Sequence, residues 1–419
     1  MTLVSYIIGA CPSCGTPESY GNVMVGGNTL SRGCLQCKHW DRIPLPELQK
    51  KVIYLDQFFF SHAFRGEHRM FVEAQKRITD LALAQQIVVP YSNLHEDESE
   101  LWTEAQRAPL LEFIKQTSLG HKFSYEYEVK NRQIHRAFQA FLASGPTAHT
   151  VKRSDALERD VNEWDGYIWI DVGNFLDKHD DLKMRKDRSI EDLLDAFDAW
   201  ATSPSTFKED VQFELRSSAR SYIEHYVEYV ERIVSRDPAA FLTANENSMM
   251  IESLLRYQDK LPAPLRMQRI QVFFQSDYFA NVPEARIGSE FFALLRHRLR
   301  QGEYKNKEKN RDRFGGLFYD IRFISTYAPY CDAMVVDNLM FGWATDPLID
   351  LPKRFGVRLF SRRNWDEFLT YLADLAASQR PDVEEALKMI RPAGARTPEW
   401  IRRGSALVPN TDGGIEKKT

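Results

Sequence analysis

The sequence predicts a mixed α/β protein whose parallel sheet receives strands from both ends of the chain. Three observations predict this class. A cysteine-rich segment opens the chain, strand and helix patterns alternate after residue 50, and strand patterns return only after a long helical stretch. Strands that alternate with helices favour a parallel sheet with right-handed crossovers. We therefore expect one interrupted α/β domain that follows a small N-terminal unit.

Composition limits the range of functions. The 419 residues have room for two or three domains, and a 43% hydrophobic content is enough for a substantial core. The net charge of -4 argues against a chain that coats nucleic acid along its whole surface, so any polyanion site must be local. The sequence shows neither an apolar run long enough to span a bilayer nor a basic signal-peptide start. We expect a cytoplasmic protein that does not enter the membrane.

Four of the five cysteines lie near the N-terminus in two C-x2-C pairs, namely Cys11, Cys14, Cys34 and Cys37. This spacing lets two knuckles close a tetrahedron of thiolates around one zinc ion, with a hairpin between the pairs. The pattern predicts a zinc ribbon with a structural metal over residues 1–45. The alternative is two disulfides, which need an oxidising compartment. His39 is the one obvious substitute ligand.

Apolar patterns then predict the elements of the α/β domain. Strands are expected at residues 52–56, 86–90, 333–337 and 357–360, a helix at 61–84, and another helix after Ser92, which is placed to cap it. The chain between these two groups of strands is patterned almost wholly as helix. The predicted units are the zinc ribbon (1–45), the first part of the α/β domain (50–118), a helical insertion (119–284), the second part of the α/β domain (285–393) and a weakly patterned tail (394–419).

Acidic residues follow the predicted strands. Asp56 closes the first strand and Asp337 closes the third, so both are expected at the carboxyl edge of the sheet, where α/β proteins place their sites. Further candidates are Glu96, Asp97, Glu98 and Glu100 at a helix start, Asp320 near another helix start, and Asp332 just before a strand. Clustered carboxylates repel one another unless a cation neutralises them. Ligation by oxygen alone suits Mg2+ or Mn2+.

Three segments resemble the acidic motifs of PIN-like nucleases: VIYLDQ, PYSNLHEDES and YDIRFISTYAPYCDAMVVDN. The resemblance covers residues 50–115 and 285–370. It implies a three-layer domain around a parallel sheet that cleaves RNA, or less often DNA, with Mg2+ or Mn2+. The catalytic acids that it implies are Asp56, Glu98, Asp320 and Asp337, with Asp332 as an additional metal ligand. Glu96 or Asp97 is an alternative to Glu98, and His95 matches a histidine found in some subgroups.

A basic run precedes the Asp320 motif. Residues 296–313 carry eight Lys and Arg against three acids. Such a run is placed to hold the phosphates of RNA or single-stranded DNA against an acidic crevice that would otherwise repel them. The candidate contacts are Arg296, Arg298, Arg300, Lys305, Lys307 and Arg311. The alternative is a solvated helix and loop.

Other functional classes stay open at this point. Each acid alone is as well explained by helix capping or by an exposed helix start. A hydrolase of the haloacid dehalogenase kind needs a second aspartate two positions after Asp56, where this chain has Phe58. A non-catalytic zinc-ribbon adaptor is the main alternative to a nuclease. The helical insertion could serve as a lid, as an interface for a homo-oligomer or as a surface for a regulatory partner.

Overall fold

A computed structural model describes residues 6–100, 102–164, 179–240, 244–304 and 306–392. It confirms a mixed α/β class with two four-stranded sheets. The first sheet is antiparallel in the order β1-β2-β3-β4, and the second is parallel in the order β6-β5-β7-β8. The strands are β1 (Tyr6–Gly9), β2 (Tyr20–Gly26), β3 (Thr29–Cys34), β4 (Trp40–Pro44), β5 (Lys51–Leu55), β6 (Ile87–Val88), β7 (Ala333–Val335) and β8 (Arg358–Phe360).

Helices surround the parallel sheet and fill the middle of the chain. They are α1 (Gln57–Arg65), α2 (Arg69–Leu83), α3 (Asn93–Ser99), α4 (Glu104–Thr117), α5 (Glu126–Leu142), α6 (His179–Thr202), α7 (Phe207–Val234), α8 (Glu246–Arg256), α9 (Ala263–Phe274), α10 (Asp277–Ala280), α11 (Pro283–Arg300), α12 (Lys307–Arg313), α13 (Leu317–Tyr327), α14 (Asn338–Ala344), α15 (Leu351–Phe355), α16 (Trp365–Ala377) and α17 (Pro381–Ile390).

Strand β5 is buried on both faces because helices cover both sides of the parallel sheet. Val52 and Tyr54 belong to a core shared with α11, α13 and α14, whereas Ile53 and Leu55 belong to a core shared with α1, α2 and α16. Successive side chains of a strand point to opposite faces, so this alternation defines three layers. An unbroken apolar run is typical of a strand buried in this way.

The predicted single helix at residues 61–84 is wrong, because the chain forms two helices there. Gly66 ends α1 in the left-handed region with a φ of 66°, a conformation that glycine adopts without a Cβ penalty. Phe59 and Phe60 are fully buried and fix α1 on the sheet, with the Phe59 ring stacked on Trp365 at 6.2 Å. The burial of each such ring contributes roughly 1.5–3 kcal/mol.

The middle of the chain builds a core of its own. The regular elements in the described part of residues 119–284 are helices, and α5, α7, α8, α9 and α10 share a hydrophobic cluster with the start of α11. Helix α11 begins next to the predicted boundary at 285 and contributes to this cluster and to the core of the α/β domain. The predicted tail at 394–419 lies outside the described residues.

The antiparallel sheet packs against the end of the chain that the structure describes. Val25 and Leu30 share a cluster with residues of α17, and the Asn22 amide donates hydrogen bonds to the carbonyl oxygens of Met389 and Ile390 at 3.0 and 2.9 Å. Among the described helices, none has the length and apolar character needed to cross a bilayer. The cytoplasmic location stays a prediction.

Candidate functional site

The four N-terminal cysteines form a cluster that can bind a structural zinc ion. Their sulfur atoms all lie within 4.8 Å of one another. The Cys11 and Cys37 sulfurs are 3.6 Å apart, and those of Cys14 and Cys34 are 3.8 Å apart. A tetrahedron with Zn–S bonds of about 2.3 Å requires sulfur separations of about 3.8 Å. The cysteines are free rather than paired as disulfides.

Backbone hydrogen bonds reach the sulfur atoms of Cys11 and Cys34. The backbone N–H groups of Ser13 and Gln36 donate to the sulfurs of Cys11 and Cys34 at 3.4 and 3.3 Å. Although burial opposes it, hydrogen bonding from Ser19 and Gln36 lowers the pKa of Cys34. His39 is not a fifth ligand in this arrangement, because its Nε2 atom lies 3.0 Å from the carboxylate of Asp41.

Asp56 and Asp337 both lie at the carboxyl edge of the parallel sheet. Asp56 follows β5 and caps α1, with the Gln57 N–H donating to its carboxylate at 2.7 Å. Asp337 follows β7 and caps α14 by accepting from the Met340 N–H at 2.7 Å. Burial raises the pKa of Asp56 well above its usual range, and the charges of Glu98 and Asp337 raise it further. The two acids therefore share one electrostatic environment with Glu98.

Glu98 is the acid of the crowded α3 segment that faces Asp56. Its neighbours point to other partners, since the Lys122 ammonium lies 3.0 Å from the Glu96 carboxylate and the charge of Asp97 acts on Arg322. The charge of Glu98 instead raises the pKa of both Asp56 and Tyr54. Among the three candidates at this helix, Glu98 is therefore the one whose charge acts on Asp56.

Asp320 approaches the same space from α13. It lies in the first turn of the helix, where the macrodipole favours a negative charge, and its N–H donates to the Gly316 carbonyl at 3.0 Å. A Cβ on Gly316 would come within 3.4 Å of the Asp320 carboxylate. Burial raises the pKa of Tyr54 well above its usual range, and so do the charges of Asp56, Glu98 and Asp320. Tyr54 is thus close enough to three of the predicted acids for their charges to act on its hydroxyl.

Two buried polar atoms beside these acids lack hydrogen-bond partners within the described residues. They are the Tyr54 hydroxyl and Oε1 of Gln57, whose amide nitrogen donates to Ser99 at 3.2 Å. A buried polar atom without a partner is costly, so a bound ligand or water would stabilise this space. The four carboxylates do not by themselves surround a space of the size of one ion, because no three of them bring oxygens within 4.8 Å of one another.

Asp332 does not belong to this group. The parallel register pairs Ile53 with Ala333, so Asp332 lies beside Val52 at the amino edge of the sheet, opposite Asp56 and Asp337. Its carboxylate accepts from the Val52 N–H at 2.8 Å and forms ion pairs with Lys51 at 3.0 Å and Arg153 at 2.6 Å. The predicted role of Asp332 as a metal ligand of this site is therefore wrong.

We expect Asp332→Asn to lower the free energy of unfolding by roughly 1 kcal/mol, because the partly exposed ion pairs with Lys51 and Arg153 are lost. The amide oxygen can still accept from the Val52 N–H, so the strand pairing should persist. Urea unfolding followed by circular dichroism measures the change. An unchanged midpoint would show that the two ion pairs contribute nothing.

Most of the predicted phosphate-binding run is engaged within the protein. Arg296 pairs with Glu214 and stacks on Trp200, and Arg300 lies 2.6 Å from the buried Asp210. Arg298 pairs with Asp346 at 2.8 Å. These three side chains hold α11 against its neighbours, and their assignment to nucleic-acid binding stays a prediction.

The other three candidate contacts of the run are Lys305, Lys307 and Arg311. Arg311 is exposed and lies 3.2 Å from Glu191. Lys305 lies outside the described residues, and the side chain of Lys307 is not described. Those two assignments stay predictions.

Two arginines that were not among the candidate contacts act on Asp337; Arg313 is the last residue of the basic run, and Arg363 lies outside that run. Burial raises the pKa of Asp337, whereas backbone hydrogen bonds from Met340 and Leu339 and, after them, the charges of Arg313 and Arg363 lower it. Arg313 lies over the ring of Tyr304 at 4.9 Å, and a Cβ on Gly342 would lie 3.5 Å from the Arg363 guanidinium. The position of Arg363 just after β8 is the sequence signal that could have identified it, since that strand also ends at the carboxyl edge.

His95 fixes the position of α3 relative to β5. Its Nδ1 atom accepts from the Ser92 N–H at 3.0 Å, and its Nε2 atom donates to the Leu55 carbonyl at 2.9 Å. The ring is fully buried, and burial lowers its pKa to about 4. His95 is therefore a neutral positioning residue between the strand that carries Asp56 and the helix that carries Glu98.

We expect the buried neutral His95 to destabilise the protein in mild acid. Its folded pKa of about 4 lies below the usual value near 6.5, so the unfolded chain takes up the proton first. Stability is lost as pH falls from about 6.5 to 4, by roughly 3 kcal/mol. Unfolding curves of wild type and His95→Gln across this range measure it. Parallel pH profiles of the two proteins would contradict the assignment.

No protein family, no curated protein and no solved structure matches the chain.

Proposed function

We propose that the protein is a metal-dependent nuclease of the PIN-like kind, which hydrolyses phosphodiester bonds of RNA or of single-stranded DNA. The observation that carries the proposal is the convergence of Asp56, Glu98, Asp320 and Asp337. The charges of Glu98 and Asp337 act on Asp56, and those of Asp56, Glu98 and Asp320 act on Tyr54, the last residue but one of β5. The same four acids are those that the resemblance of the sequence motifs implies.

The acids fit a hard cation. Burial and mutual repulsion raise the pKa of Asp56, so its charged form needs a neutralising partner. The oxygens are too far apart to enclose an ion on their own, which suits a cation that keeps several waters. A bound Mg2+ or Mn2+ would supply an activated water and would stabilise the charge that develops on a phosphate. Asp56 and Asp337 are held in place by their helix caps.

The arginines beside Asp337 support a phosphate-bearing substrate. Arg313 and Arg363 carry positive charge to the rim of an acidic space that would otherwise repel a polyanion. In this proposal they bind phosphates of the strand while the carboxylates bind the cation. These arginines would contact the phosphates of the nucleic acid, which RNA and single-stranded DNA share, so the contact does not distinguish the two substrates.

The test is cleavage of labelled single-stranded RNA and DNA with Mn2+, with Mg2+ and with chelator. We expect Asp337→Asn and Asp320→Asn each to lower the rate at least 100-fold, because each removes a ligand charge. Asp332→Asn is the matched control, since it makes the same change at the opposite edge of the sheet. Cleavage that survives in both site variants would remove the proposed site.

A non-catalytic zinc-ribbon adaptor is the second candidate. Asp56 and Asp337 both cap helices, which is a structural role that needs no metal. Helix α7 also exposes apolar side chains at Val227, Val230 and Val234, the last of which is 77% exposed. Such a face suits a homo-oligomer or a regulatory partner. Absence of cleavage by folded wild type on every substrate and metal would favour this function.

A further inference from the structure

Two histidines and a glutamate meet where α1 ends and α2 begins. His62 lies in the last turn of α1, Glu67 lies in the connection after Gly66, and His68 is the residue before α2. One ligand atom from each side chain lies within 4.8 Å of the others. The distance from Nδ1 of His62 to the Glu67 carboxylate is 3.9 Å.

Aromatic packing fixes the ring of His62. It stacks on Phe71 with ring centroids 4.9 Å apart and meets the edge of Phe58 at 6.3 Å. Its Nδ1 atom is buried and has no hydrogen-bond partner in the described part of the chain. A buried nitrogen in this state is stabilised when a ligand takes its lone pair.

We infer that His62, Glu67 and His68 form a second transition-metal site, with zinc as the ion best suited to two imidazoles and one carboxylate. This donor set differs from the oxygen-only set of the four acids, and three protein ligands leave one position for water. Tetrahedral bonds of about 2.0–2.2 Å require ligand atoms about 3.3 Å apart. Glu67 and His68 are exposed and can close that distance by side-chain rotation.

This site is weaker than the four-cysteine cluster. It has one ligand fewer, and the Arg362 guanidinium lies 5.6 Å from the centroid of the Phe71 ring, so a positive charge is close to His62. The expected behaviour is reversible binding that a mild chelator removes while the ion of the four cysteines stays bound.

The test uses the full chain, titrated with Zn2+ and then with Co2+ after mild chelation. We expect wild type to bind one more equivalent than His68→Ala and Glu67→Gln do. The additional Co2+ should show visible absorption without the near-ultraviolet band of cobalt–thiolate charge transfer. His297→Gln is the control, because it removes a histidine of α11 that does not belong to the group of His62, Glu67 and His68 and that hydrogen-bonds to Gln301. This control should keep the additional equivalent.

Two results would overturn the inference. One is equal stoichiometry in wild type and His68→Ala. The other is loss of the additional equivalent in Asp56→Asn instead of His68→Ala, which would place that ion among the four acids. The His68 ring contacts those of His62 and Phe71 at 5.0 and 6.3 Å, so Glu67→Gln, which leaves these ring contacts in place, is the decisive second variant. Circular dichroism verifies that both variants are folded.

Discussion

Replacement of Asp56 by Asn is expected to lower metal-dependent cleavage at least 100-fold and to make the metal-free protein more stable. The loss of cleavage follows from the removal of a charge that the proposed cation needs. The gain in stability follows from burial, since Asp56 is only 6% exposed and the charges of Glu98 and Asp337 act on it. An uncharged amide removes that repulsion, and Asn caps a helix as well as Asp does.

The sign of the pH dependence makes this prediction specific. The pKa of Asp56 is raised in the folded state, so the contribution of this group to stability is present below the unfolded pKa near 3.9. That contribution is lost as pH rises toward the folded pKa. We expect Asp56→Asn to gain roughly 1–3 kcal/mol over wild type at neutral pH and little near pH 3. Thermal unfolding in chelator at both pH values measures the difference.

Comparison of Asp56→Asn with Asp332→Asn separates an effect on cleavage from an effect on the stability of the fold. That variant should lose stability and keep cleavage, whereas Asp56→Asn should lose cleavage and gain stability. If Asp56→Asn loses stability at neutral pH instead, the charges of Glu98 and Asp337 do not destabilise the folded protein through Asp56. If Asp56→Asn cleaves as wild type does, the proposed catalytic site is wrong.

The placement of Asp56 and Asp337 could be predicted from the sequence, because each follows a strongly apolar strand and parallel strands end at one edge. The prediction for Asp332 failed for a related reason. It precedes its strand, and only the register of Ile53 with Ala333 shows that it lies at the amino edge. Whether an acid lies at the carboxyl edge or at the amino edge of the sheet therefore depends on whether it follows or precedes its strand.

The number of charges in the basic run does not reveal ion-pair partners that are distant in sequence. The acids that bind Arg300, Arg296 and Arg298 are Asp210, Glu214 and Asp346, which come from α7 and from the segment after α14. No local pattern predicts these pairs. Tyr54 illustrates the same limit, since a tyrosine inside an apolar strand gives no sign that the charges of three acids act on its hydroxyl.

Removal of zinc is expected to unfold the antiparallel sheet and to leave the parallel sheet folded. The interior of the cysteine cluster consists of Cys11, Tyr20 and Cys34, with Cys37 packed against them, which is too small a core to fold without metal. Structural zinc contributes about 10–16 kcal/mol of apparent binding free energy in small domains, and this energy is coupled to folding. We expect Cys34→Ser to lose one zinc equivalent and the amide protection of β2 and β3.

The loss of structure in Cys34→Ser should extend to α17 but not to the α/β core. Val383, Ala386 and Ile390 are buried against Val25 and Leu30, so unfolding of the antiparallel sheet exposes that face of the helix. The two cores on either side of β5 contain no residue from this sheet, and their strands should keep slow hydrogen exchange. Cys331→Ala is the control, because Cys331 is buried in the α/β core and is not part of the cluster. Rapid exchange throughout β5 and β7 in Cys34→Ser, with slow exchange in Cys331→Ala, would instead mean that the ribbon supports the whole fold.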